Sequence, residues 1–141
     1  MVSDKTIRYA NRNMNLPKLS ERIVENLKRD GYETQKAEGF LEILIQARKE
    51  SVLKDLAMSD RCLTILLLGQ PDDFSVRVGI GWCFNLTSEN VDDIISSGVF
   101  LGVTIPEKIW NENIENTIIK NIDRIIEDQT EKSEPRSHDD A

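Results

Sequence analysis

The hydrophobic positions along this chain change their period several times, and each change marks an element. Leu16, Leu19, Ile23, Val24 and Leu27 recur at helical spacing. Pro17 suits a first turn and Gly31 the left-handed position past a helix end, so the spacing predicts a helix from Pro17 to Asp30. Before it, Lys5 to Tyr9 alternates briefly, as a strand would. After it, Tyr32 to Lys36 reads as a strand, Ala37 to Gly39 as a turn and Phe40 to Arg48 as a longer strand. In that longer strand Leu41, Ile43, Ile45 and Ala47 share one face, and Phe40, Glu42, Leu44, Gln46 and Arg48 share the other.

Ser51 can cap a short helix reaching Met58, and Arg61 to Leu68 follows as a strand rich in Leu and Ile. Gly69 to Asp73 has the turn chemistry to join that strand to the next as a hairpin. The next strand alternates cleanly, with Phe74, Val76, Val78 and Ile80 one way and Ser75, Arg77 and Gly79 the other. Gly79 and Gly81 mark a bend or a close backbone approach. From Asn85 the pattern turns helical: Thr87 or Ser88 can cap a segment carrying Val91, Ile94 and Ile95, which Gly98 interrupts. Val99 to Ile105 fits neither period decisively. Beyond Pro106 a long amphipathic helix carries Ile109, Trp110, Ile114, Ile118, Ile119, Ile122, Ile125 and Ile126 on one stripe. Short connections between strands imply hairpins, so the predicted class is α+β: a curved antiparallel sheet with a helix on one face, followed by C-terminal helices.

With 141 residues, 39% of them hydrophobic, the chain suits one domain with a real core and excludes wholesale disorder. That domain is expected over residues 1–128, with 129–141 as a disordered acidic tail, because nothing apolar anchors the last stretch. The net charge of -7 is concentrated near this end. Such a balance disfavours general attraction to nucleic acid or to an anionic membrane, and no stretch has the length of a membrane span. Cys62 and Cys83 both lie in apolar, strand-like runs, which reads as reduced, buried thiols and places the protein in the cytoplasm.

Candidate chemistry is sparse. The single histidine, His138, stands in the polar tail, so no packed shell orients it for catalysis. One histidine and two distant cysteines cannot complete a zinc site, and no metal or cofactor is expected. Asp72 and Asp73 fall where a hairpin turn favours Asp, and Asp92 and Asp93 fall in the first turns of a helix, where acids complement the dipole. Gly79-Ile80-Gly81 lacks the rest of a phosphate loop. Arg48, Lys49, Lys54 and Arg61 are interleaved with Glu50, Asp55 and Asp60 and read as a mixed, solvated surface rather than an anion site.

The Arg61 to Leu68 strand is apolar on both faces. If Leu63, Ile65 and Leu67 face the core, then Cys62, Leu66 and Leu68 join Phe40 and Leu44 on the opposite face, and something must cover that patch. The candidates are the chain's own C-terminal helices, a second copy, another protein or an apolar ligand. The C-terminal stripe through Trp110, Ile114 and Ile118 is core by default, with Trp110 a possible interface anchor.

The stretches NLPKLSERIVENLKRDGYETQ, FLEILIQARKE, VRVGIGW and GVTIPEKIW resemble a loosely defined group of uncharacterised small bacterial and archaeal proteins. In that group a helix leads into a "LIQARK" strand, a hairpin follows, and a Gly-rich apolar segment precedes a last helix. Zinc ribbons present in some members have no counterpart cysteines here, and the resemblance brings no activity. The sequence therefore points to a non-enzymatic interaction module. It is expected to self-associate or to bind another protein through Phe40, Leu44, Leu66 and Leu68 or through the Trp110, Ile114 and Ile118 stripe. A carrier or sensor of a small apolar ligand held between sheet and helix is the alternative.

Overall fold

The computed structural model describes residues 5–49, 61–84, 86, 91–98, 100 and 112–133. Five strands form one open antiparallel sheet: β1 (Lys5–Ala10), β2 (Glu33–Glu38), β3 (Glu42–Arg48), β4 (Arg61–Gln70) and β5 (Asp73–Trp82), in the spatial order β1-β5-β4-β3-β2. Among the described residues three helices accompany it: α1 (Leu16–Arg29), α2 (Val91–Ser97) and α3 (Glu112–Ser133). The class is α+β, as the alternating patterns predicted. The short helix expected from Ser51 to Met58 lies outside the described residues.

Helix α1 carries the chain from one edge of the sheet to the other. The Asn15 side chain caps its start by accepting the Lys18 N–H at 3.0 Å, and Pro17 occupies the first turn. Its end is a left-handed cap. Gly31 has φ 95°, its N–H reaches the Lys28 carbonyl at 3.0 Å, and the Tyr32 N–H reaches that of Leu27 at 3.0 Å. Between these caps Leu16, Leu19, Ile23 and Leu27 are buried, forming one stripe against the sheet.

The main core fills the space between α1, α3 and one sheet face. Ile43, Ile45 and Ala47 of β3, Leu63, Ile65 and Leu67 of β4, and Phe74, Val76, Val78 and Ile80 of β5 supply that face. Register explains the arrangement, because Ile45 pairs with Ile65 and Ile65 with Val78. Helix α3 packs on α1 and β5 and adds Ile118, Ile122 and Ile126. Its polar side is tied down by Arg12–Glu127 at 3.1 Å, Arg22–Asp128 at 3.0 Å, and the Tyr9 hydroxyl, which donates to Asp123 at 3.1 Å.

Some boundaries differ from the sequence-based expectation. Strand β2 runs on to Glu38, which pairs with Ile43, so Phe40 belongs to the turn between β2 and β3 and not to the strand. Helix α3 continues to Ser133, past the expected domain end at Asp128. Gln129, placed by sequence in a disordered tail, is buried and donates to the Asn15 carbonyl at 3.3 Å. That hydrogen bond holds the extra turn without an apolar anchor. Strand β4 extends to Gln70 because Gly69 takes φ 129°, a conformation open to glycine, and a Cβ there would meet the Asp73 carbonyl at 2.5 Å. Both edge strands carry charge, Lys5 and Arg8 on β1 and Glu33, Lys36 and Glu38 on β2, which discourages pairing with a further strand.

Candidate functional site

The second face of the sheet falls into three zones along β3 and β4. The middle zone is apolar and covered. Leu44 pairs with Leu66 across the ladder, and both are buried beneath Leu86, Val91, Ile94 and Phe100. Ala37, Phe84 and Ile95 pack around this cluster. The segment after β5, including α2, is thus the cover that the two-sided strand required. Phe100 bridges to Gly81, and the Arg77 guanidinium lies 4.0 Å from the centre of its ring. Gly81 is a close backbone approach, one of the two roles its position suggested.

A polar zone lies at the Cys62 end. Gln46 is almost fully buried, donates from Nε2 to Thr64 Oγ1 at 3.2 Å and to the Trp82 carbonyl, and accepts the Phe84 N–H at 3.0 Å. Gln35, its partner across β2 and β3, donates to the Phe84 carbonyl and accepts the Leu86 N–H at 3.3 Å. Two glutamines therefore hold the start of the cover by its backbone. The sequence puts Gln46 on the same strand face as Leu44, and the fold buries it there under the start of the cover.

Beside the glutamines, Cys62 and Cys83 form a disulfide, with their Cα atoms 5.3 Å apart. This corrects the expectation of two reduced thiols. Cys62 pairs in register with Gly81, two residues before Cys83, so the cysteines are diagonal neighbours on one face. The hairpin register was the signal that could have revealed the pair, and it depended on where the turn began and ended.

The third zone is exposed. At the opposite end of the sheet Phe40 is 87% accessible, Leu68 42% and Leu41 39%. They adjoin because Glu42 pairs with Leu68 and the Gly69 N–H reaches the Leu41 carbonyl at 2.9 Å. Beside Phe40, on the α1 side of the sheet, opens a groove of about 510 Å³ with Met14, Leu16, Ile43 and Leu67 among its apolar lining residues. Glu42 and Asp92 meet behind the turn: a Cβ on Gly39 would lie 2.7 Å from Glu42 Oε1 and 2.6 Å from Asp92 Oδ1. Burial, and the hydrogen bond that protonated Glu42 donates to Asp92, raise the Glu42 pKa above its ordinary value.

Of the residues expected at an interface, Phe40 and Leu68 are exposed and neighbouring, whereas Leu44 and Leu66 are sealed under the chain's own cover. Ile118 belongs to the main core. Ile114 falls within α3, and Trp110 lies outside the described residues. Asp73 pairs with Arg8 at 2.8 Å, and that guanidinium holds its carboxyl below the ordinary value. Lys49 donates to the Asp30 carbonyl at 2.6 Å and sits over the Tyr32 ring. Among the described residues no group of three or more His, Cys, Asp and Glu gathers to hold a metal, and no helix is long and apolar enough to cross a membrane. Comparison with protein-family models, curated proteins and solved structures gives no match, so the geometry carries the functional reading by itself.

Proposed function

We propose that this protein is a non-enzymatic interaction module that self-associates through the exposed end of its sheet. The observation that carries the reading is Phe40, 87% accessible in a tight turn beside an apolar groove. A large aromatic held out in water gains nothing for the monomer, and burying it is worth roughly 1.5 to 3 kcal/mol. In a two-fold dimer each surface meets its own copy, so a protruding apolar side chain next to a hollow is self-complementary. Phe40 of one protomer enters the groove of its partner, while Leu41 and Leu68 close around it.

This narrows the interface expected from sequence to the turn end of the sheet, where Phe40 and Leu68 stand beside the groove on the α1 side, and leaves Leu44 and Leu66 out of it. The carrier reading draws on the same groove, whose volume is within the range of small-molecule sites. Native mass spectrometry separates the two. A bare dimer that Phe40→Asp converts to monomer supports self-association, whereas a monomer with a reproducible small adduct supports the carrier.

A further inference from the structure

We propose that the Cys62–Cys83 disulfide is a redox latch on the cover over the Leu44–Leu66 face: oxidised, it clamps the cover, and reduced, it lets the cover lift. The argument starts from position. Cys83 is the first residue after Trp82, the last residue of β5, and so the first residue of the cover itself. Cys62 is buried on the face being covered, in line with Thr64 and Leu66. The bond therefore ties the root of the cover to the surface below it.

The remaining hold on that root depends on the same few residues. The Gln46 and Gln35 hydrogen bonds reach Trp82, Phe84 and Leu86, all within three positions of Cys83. Further along, the cover rests on the small cluster around Leu44 and Leu66, which is separate from the far larger core on the other face. Loss of the bond thus weakens a local unit while the main core stays intact.

A reductant has access. A surface groove of about 240 Å³ is lined by Glu33, Gln35, Gln46 and Arg48 together with Cys62 and Cys83. Cys83 is the less buried of the two residues. A thiolate of a dithiol reductant attacks Cys83 Sγ, forms a mixed disulfide and releases Cys62 as thiolate. The second thiol of the reductant then displaces Cys83. Two electrons and two protons pass to the protein pair, and the dithiol leaves as its own disulfide. In a reducing compartment disulfides are characteristically transient and redox-sensing, which is the setting such a latch needs.

The test is hydrogen exchange by mass spectrometry on the full chain, oxidised and after dithiothreitol with alkylation to verify reduction. Amides of residues 84, 86 and 91–97 are expected to exchange roughly tenfold faster or more after reduction through a local opening, while the amides of α1 and central β4 remain the slowest to exchange. A Cys62→Ser and Cys83→Ser double variant should match the reduced protein with or without dithiothreitol. Unchanged exchange in the cover, or a cover that opens only together with α1 and central β4, overturns the latch. So does free alkylation of both thiols in the untreated, air-oxidised protein. None of these readouts depends on self-association.

Discussion

The buried carbonyl oxygen of Gln46 accepts the backbone N–H of Phe84 at 3.0 Å, and the amide nitrogen of the same side chain donates to the carbonyl of Trp82. One side chain thereby satisfies both sides of a segment that has just left its ladder and would otherwise present unpaired backbone to a covered face. Replacing Gln46 with Ala leaves those groups without partners. Urea unfolding is expected to show a loss of about 1 to 3 kcal/mol, the usual cost of such groups. A Gln46→Ala protein of unchanged stability would mean that the Gln46 hydrogen bonds do not hold the cover.

Leu66 and Phe40 make opposite predictions although sequence placed them in one patch. Leu66, buried opposite Leu44, should cost about 2 to 5 kcal/mol when cut to Ala. Phe40, exposed in its turn, should change stability by no more than about 0.5 kcal/mol while weakening self-association. Leu66→Glu, which the two-sided strand suggests as a dimer-breaking change, is instead expected to disrupt the cover. Parallel denaturant curves for the two Ala variants decide the point.

Much of the fold was legible because its signals are local. The α1 stripe with Pro17 and Gly31, and the strict alternation from Phe74 to Ile80, each need only a few neighbouring residues to be read. What escaped depends on register between distant segments. Phe40 moved from strand to turn because Glu38 pairs with Ile43, a relation that periodicity in either strand does not contain. Cys62 and Cys83 became partners only once the β4–β5 register was set around Pro71 and Asp72. Alternation puts Gln46 on the Leu44 face but does not show that it is buried; its burial follows from a cover whose own sequence lies far along the chain. The exposed part of the candidate site rests on two residues visible from the start, Phe40 and Leu68, while its groove is assembled from three separate stretches of chain and could not be read in advance.

Glu42 gives the protein a pH dependence with a definite sign. Its pKa is raised on folding, first by burial and then by Asp92, so the native state holds the proton more tightly than the unfolded chain does. The associated stability is fully present below its ordinary value of 4.5 and is lost as pH rises through the raised one. Glu42→Gln, which stays neutral, should therefore gain in thermal stability relative to the parent between about pH 4 and about pH 7. An equal difference at both pH values would show that the carboxyl is not perturbed.

The disulfide closes a loop with a sequence separation of 21 residues. Chain entropy predicts that removing both cysteines, as Cys62→Ala with Cys83→Ala, costs roughly 3 kcal/mol relative to the oxidised parent. Reduction of the parent should lower its free energy of unfolding by a comparable amount and its denaturation midpoint with it. Equal midpoints for oxidised and reduced protein would contradict that contribution.

Sedimentation velocity over a concentration series, run on the parent chain and on Phe40→Asp in parallel, tests self-association through the sheet end most directly. The parent should shift from monomer to dimer with rising concentration, and the folded Phe40→Asp protein should remain monomeric throughout. A parent that stays monomeric at every concentration, or a Phe40→Asp protein that dimerises as the parent does, would contradict the account.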